Sequence, residues 1–176
     1  MLSERMQEAL NGQVVAEVYS AFLYLSMSAY FSSHGLAGFA RWMRVQRLEE
    51  LTHAVRLYEY VIDAGGRVVL SPVDWSLPTD WDSELAVFEH ALAHERKVTG
   101  LINDLVKVAG EEDDPPTKEF LTWYVDEQVE EEESAGGVVD KLKAAGGSAD
   151  ATGALDRELA AREFHPQDWG LAGGIG

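Results

Sequence analysis

The chain has 176 residues, 46% hydrophobic and 26% charged, the composition of one soluble domain with a full core. It contains no cysteine, so disulfides, thiolate zinc sites and iron–sulfur clusters are excluded. A formal net charge of −17 argues against nucleic-acid binding by the folded surface and makes cations the natural partners. No apolar run is expected to span a membrane, and Met1 to Arg5 lack the basic and apolar regions of a signal peptide, so a cytoplasmic location is expected.

The first predicted helix runs from about Ser3, a suitable N-cap, to Ser33, with Gly35 as its stop. Met6, Leu10, Gln13, Glu17, Ser20, Tyr24, Met27 and Phe31 alternate four and three apart, which puts them on one face. One acid, Glu17, sits mid-seam. The connection at Ser32 to Gly35 is short, so the second helix, from about Leu36 to Ala64, is an antiparallel neighbour. Its seam is Phe39, Met43, Gln46, Glu50, His53, Leu57 and Tyr60, with a carboxylate and an imidazole at i and i+3 in the centre.

Gly65-Gly66 ends that helix, and Arg67 to Trp81, with Pro72 and Pro78, shows no helical period. About 17 extended residues reach roughly 60 Å, and a helix of roughly 28 residues is about 42 Å long. The connection can therefore cross the whole bundle and start the third helix parallel to the second. That helix is predicted from Asp82 or Ser83 to Ala109, stopping at Gly110, with the seam Leu85, Phe88, Leu92, Glu95, Thr99, Ile102, Val106 and Ala109. After the short acidic turn Glu111 to Pro116, whose prolines suit a helix start, a fourth helix is predicted from about Pro116 to Ala145. Its seam is Thr117, Leu121, Tyr124, Gln128, Glu131, Ala135, Val138 and Leu142, and Gly136-Gly137 inside it predicts a kink or a close helix contact. A short fifth helix follows, from about Asp150 to Arg162. Residues 1–162 are expected to form one domain, and 163–176 a flexible glycine-rich tail.

Each of the four long seams thus carries polar, ligand-type residues at mid-helix: Glu17, then Glu50 and His53, then Glu95, then Gln128 and Glu131. An unpaired buried carboxylate costs several kcal/mol, as a rough figure. A four-helix bundle with one long crossover brings all four levels together. Oxygen-rich surroundings with one imidazole suit iron, a bridging carboxylate holds two irons close, and two divalent ions neutralise four acids. Tyr24 lies seven residues after Glu17 on the same face, and Trp123 beside the fourth seam reads as packing.

Glu17-Val18-Tyr19, Glu49-Glu50-Leu51-Thr52-His53 and, above all, Phe120 to Glu132 resemble the bacterial non-haem ferritins over Met1 to about Arg162. The resemblance implies an all-α, ferritin-like four-helix bundle with one long crossover between helices 2 and 3 and a short fifth helix. It implies a homo-oligomeric shell of 24 subunits that oxidises Fe(II) and stores ferric mineral. Carried over by position, the resemblance implies a first iron site of Glu17, Glu50 and His53, with Gln128 close by. It implies another iron site beside it, made of Glu50 as bridge, Glu95 and Glu131. It also implies a third, made of Glu49, Glu127, Glu130 and Glu131. Tyr24 matches the tyrosine beside the ferroxidase centre.

The departures are specific. Gln128 and Glu131 stand where bacterioferritins have a second Glu-x-x-His, and Leu51 stands where they have the haem methionine, so haem is not expected. Lys118 and Leu121 occupy positions where animal ferritins place the acids of an iron channel; the nearby turn Glu111 to Asp114 reads first as a solvated loop, with a substitute for that channel as the alternative. Two competing readings are a rubrerythrin-like peroxidase, whose rubredoxin module needs four cysteines that this chain lacks, and a metal-free helical scaffold.

Overall fold

The computed structural model describes residues 2–73 and 75–165. Among the described residues five helices form: α1 (Glu4–Ser33), α2 (Ala37–Asp63), α3 (Glu84–Glu111), α4 (Pro115–Ala145) and α5 (Ala149–Leu159). Side-chain caps start four of them. Ser3, Ser83, Asp114 and Ser148 accept from the backbone N–H groups of Met6, Ala86, Thr117 and Ala151, satisfying donors the helix itself leaves open. The glycine-rich stretch 166–176 lies outside the described residues.

Cross-helix contacts fix the directions. Ser28 reaches the carbonyl of Ala40 while Glu17 faces Glu50, so α1 and α2 are antiparallel. Tyr60, His53 and Gln46 of α2 meet Thr117, Tyr124 and Glu131 of α4, which is again antiparallel. Arg5 pairs with Glu111 and Tyr24 with Glu95, so α1 opposes α3, and α2 and α3 run parallel. The crossover makes this possible by climbing α1. The Arg67 N–H donates to Gln7, Asn11 binds Arg67 and Val69, Ser26 donates to the Pro78 carbonyl, and Tyr30 donates to that of Trp81. From Gln7 to Tyr30 that is about 35 Å of helix.

The seams of α1 and α4 are buried at every predicted position, and that of α2 at all but Tyr60, which is half-buried. The seam of α3 is rotated: Leu85, Leu92, Thr99 and Val106 are half-buried, while Val87, Ala91, His94, Val98 and Leu105 are buried beside Phe88, Glu95, Ile102 and Ala109. Two apolar clusters result. One contains Met27, Phe31, Phe39, Met43, Phe88 and Val138; the other contains Met6, Leu10, Leu57, Ile102 and Leu121. The polar layer lies between them.

Three expectations are corrected. Gly110 does not end α3, which runs to Glu111; the reversal is made instead by Asp113 in the left-handed region at φ 50°. No close approach demands Gly136 or Gly137, since a Cβ on the first would meet only Leu92 at 3.9 Å and one on the other nothing within 4 Å. Finally, α1 is long and apolar enough by length and composition to cross a membrane. Phe22 and Leu25 are exposed, but Met6, Leu10, Leu23, Tyr24, Met27 and Phe31 are buried in the bundle and the same buried stripe carries Glu17, which fits a core helix.

The fifth helix is docked by one glycine. A Cβ on Gly38 would lie 1.6 Å from the Asp156 carbonyl oxygen, so only glycine admits this approach of α5 to the start of α2. Leu36, at the N-cap of α2, has no capping side chain. Asp156 supplies the missing cap by accepting from the Phe39 N–H at 2.9 Å.

Candidate metal centre

The four seams bring Glu17, Glu50, His53, Glu95, Gln128 and Glu131 into one buried layer. The ligand atoms of Glu17, Glu50 and His53 lie within 4.8 Å of one another, close enough to hold one metal ion. His53 Nδ1 is 3.5 Å from Glu50 Oε2. Another triad, His53 with Glu127 and Glu131, closes to the same limit. Glu95 stands outside both triads. It accepts from the Tyr24 hydroxyl and from Gln128 Nε2, at 3.3 Å from the latter.

Amides and hydroxyls orient these acids. Gln13, one turn before Glu17, donates to its Oε1 at 2.9 Å, and Gln46 donates to Glu131 Oε2. Tyr124 donates to the His53 carbonyl at 2.8 Å, and the Trp123 ring meets the imidazole edge-on at 5.5 Å. The Thr99 hydroxyl accepts from Gln128 and donates to Glu132, which ties the amide to the next turn of α4. The other oxygen of Glu17, Oε2, is buried with no hydrogen-bond donor, so only a proton shared with another acid or a cation can satisfy it.

The electrostatics follow from crowding acids in a dry place. Burial pushes the Glu50 carboxyl well above its usual range, and Glu95, Glu17 and Glu131 push it further. Burial likewise raises Glu131, with Glu95 and Glu49 adding to the effect. Glu95 rises to about 7, mainly by burial, against the hydrogen bonds from Tyr24 and Gln128. Glu17 is raised by burial and eased by Gln13 and Glu50. Burial lowers His53 to about 3, so its ring is neutral at physiological pH and available as a ligand. Metal-free, the layer carries protons; a divalent cation can replace them.

Beside this layer, Glu49, Glu127, Glu130 and Glu131 line one cleft with Ser134 and Arg162. The four acids named from the sequence are therefore brought together. Burial lifts Glu127 to about 7, with Glu130 and Glu49 adding to it. Glu49 is raised by burial but relieved by Arg162, whose guanidinium is 2.5 Å from it.

Sequence reasoning missed three participants. Gln13 has a legible signal, a glutamine four residues before an acid on the same face. His94, buried and bound to Ser20 through Nε2 at 2.8 Å, lies one position off the predicted seam and joins the core only because α3 is rotated. Arg162 has no local signal at all. The turn at Glu111 to Asp114 is engaged elsewhere: Arg5 pairs with Glu111 at 2.6 Å and Glu112 at 3.3 Å, and Asp114 caps α4. Leu121 is buried in the core and Lys118 is exposed.

A mid-bundle layer of carboxylates and one imidazole, on four helices with a long crossover, is the arrangement of the carboxylate metal proteins of the four-helix class. The ferritin-like domain family matches residues 7–145, and the chain belongs to the ferritin family of iron-storage proteins. It is 48% identical over 146 residues to a bacterial non-heme ferritin of Bacteroides fragilis, covering 83% of this chain and 91% of that one. A bacterial non-heme ferritin of Escherichia coli is 39% identical over 159 residues, covering 90% and 96%. Among solved structures, the open-pore ferritin of Archaeoglobus fulgidus is 52% identical with a TM-score of 0.91, covering 93% of this chain and 100% of that one. An engineered closed form of the same ferritin gives 53% and 0.92, covering 94% and 100%.

Proposed function

We propose that this chain is a cytoplasmic ferroxidase that oxidises Fe(II) at a pair of adjacent sites and stores the ferric product as mineral inside a shell of 24 copies. The observation that carries this reading is the buried layer itself. Four carboxylates from four helices are held in a dry interior, and burial raises all four. Fe(II) is the substrate. Glu17, Glu50 and His53, with Gln128 nearby, take the first ion; Glu50, Glu95 and Glu131 take its neighbour. Each Fe(II) gives one electron, and two held side by side deliver the pair that one O₂ or peroxide molecule takes up. Tyr24 holds Glu95 in place through its hydroxyl. Glu49, Glu127, Glu130 and Glu131 take a third ion on its way inward. With Leu51 at the position of the haem methionine, no haem takes part.

Stopped-flow oxidation at two Fe(II) per subunit tests the site. Glu50→Ala is expected to slow the fast phase by more than the roughly 10–100-fold that loss of a residue orienting a ligand costs, because Glu50 serves both ions. Wild-type rates in that variant would sink the assignment. Light scattering and electron microscopy test the shell, and the latter separates a closed cage from an open-pore one. A species no larger than a dimer at neutral pH would overturn the storage half of the reading.

A further inference from the structure

The acidic cleft already holds a cation that belongs to the chain. Arg162 follows α5, and its guanidinium donates to Glu49 Oε2 at 2.5 Å and to Gln46 Oε1 at 2.7 Å. The same group lies 4.4 Å from the centre of the Trp42 ring. Its backbone carbonyl accepts from Arg41 Nε at 2.9 Å, which fixes where the side chain starts. Gln46 carries the contact inward, because its Nε2 donates to Glu131. One guanidinium thus ties an acid of the cleft directly, and an acid of the buried layer through an amide, to the segment after α5.

A guanidinium carries one charge, and the cleft holds four acids. It is also weakly hydrated and bonds through a fixed fork, so it competes for the carboxylate oxygens that a metal would need. Glu49 cannot give the same oxygen to Arg162 and to a divalent ion. The Arg162 side chain is 21% exposed and that of Glu49 9%, so of the two the guanidinium is the better placed to move into solvent.

We propose that Arg162 is the resident counter-ion of this cleft and gates it, holding Glu49 while no metal is there and swinging out when a divalent cation enters. This rests on the reading of the cleft as a third metal site. It makes Arg162 a positioning residue that sets how readily iron passes from the buried layer toward the interior of the shell.

Zn²⁺, which has no redox chemistry, is the probe, titrated calorimetrically into the assembled full-length protein. Arg162→Gln is expected to bind the zinc beyond two per subunit roughly tenfold more tightly, the scale of a lost hydrogen-bonded charge competitor. Arg162→Lys, which keeps the charge but loses the fork and the flat face on Trp42, is expected to bind that zinc more tightly than wild type and less tightly than Arg162→Gln. In wild type, zinc loading should speed amide exchange at residues 160–165, a readout that a fixed structural pin would not give. Unchanged zinc affinity in Arg162→Gln, with loss of the third zinc in Glu127→Ala, would overturn the gate and leave the site standing. Full zinc stoichiometry in Glu127→Ala would overturn both. Should Arg162→Gln fail to assemble, unchanged exchange in loaded wild type, or zinc binding by Arg162→Lys no tighter than wild type, would overturn the gate.

Discussion

Two acid clusters sit side by side in this bundle and are kept in different ways. The inner one, Glu17, Glu50, Glu95 and Glu131, is buried, and what acts on Glu50 is desolvation and other acids. The outer one, Glu49, Glu127 and Glu130 with Glu131 at the boundary, is lined by Arg162 and relieved by it at Glu49. The inner cluster depends on protons or metal, whereas the outer cluster has a counter-ion built into the chain. Under the proposed function, the contrast suits an inner site that accepts cations strongly beside an outer one that lets them pass.

The largest break in that contrast comes from removing an inner ionisable group, which must take up a proton to stay buried without metal. In metal-free protein at pH 7.5, Glu50→Gln is expected to raise stability by roughly 1–4 kcal/mol, the scale on which buried ionic groups are replaced without loss. Thermal melts of the two apo proteins check the sign, and a lower Tm in the variant would show that the inner acids are already satisfied without metal.

The next effect is on pH dependence. Glu95 and Glu127 rise to about 7 from an ordinary 4.5, so between those values the folded state binds more protons than the unfolded chain, and stability falls as pH rises. His53 and His94 are lowered to about 3 and about 4 from 6.5, so their contribution rises with pH below 6.5 and is complete above it. Only the acids act between pH 6.5 and 7.5. Apo protein should therefore lose stability across that interval, and saturating Zn²⁺ should abolish the slope. An apo Tm that climbs from pH 6.5 to 7.5 would contradict the raised carboxyls.

The smallest effect separates neighbours on α4. Glu130→Ala should bind about one Zn²⁺ fewer per subunit while keeping the fast oxidation phase. Glu132→Ala should keep full stoichiometry, because Glu132 accepts from Thr99 at 2.7 Å and faces Arg96 at 3.5 Å. Equal losses in both variants would mean that the cleft is only a solvated acidic face.

The inner cluster was legible in the sequence because its members lie on seams with a helical period, each acid standing out against Met, Leu and Phe. The direction of the third helix was legible for a similar reason: the crossover is long enough for a full traverse. The rotation of α3 was not, since half-buried Leu85 and Leu92 read the same as core residues by pattern alone. Arg162 was out of reach because its partner Glu49 is 113 residues away, and no local spacing encodes a contact of that range. For the same reason Asp156 could not be seen as the cap of α2.

That cap has a consequence in time. Phe39 and Asp156 are 117 residues apart in the chain. At a synthesis rate of about 5–20 residues per second, roughly 6–23 s separate the emergence of the helix start from that of its cap. The hairpin of α1 and α2 needs only neighbouring sequence and can close while the rest is still being made. Through that interval the first turn of α2 is completed only by water, and the slot at Gly38 stands open. The last helix therefore acts as a clasp on one of the first, and a nascent chain released before residue 156 leaves a helix incomplete more than a hundred residues upstream of the break.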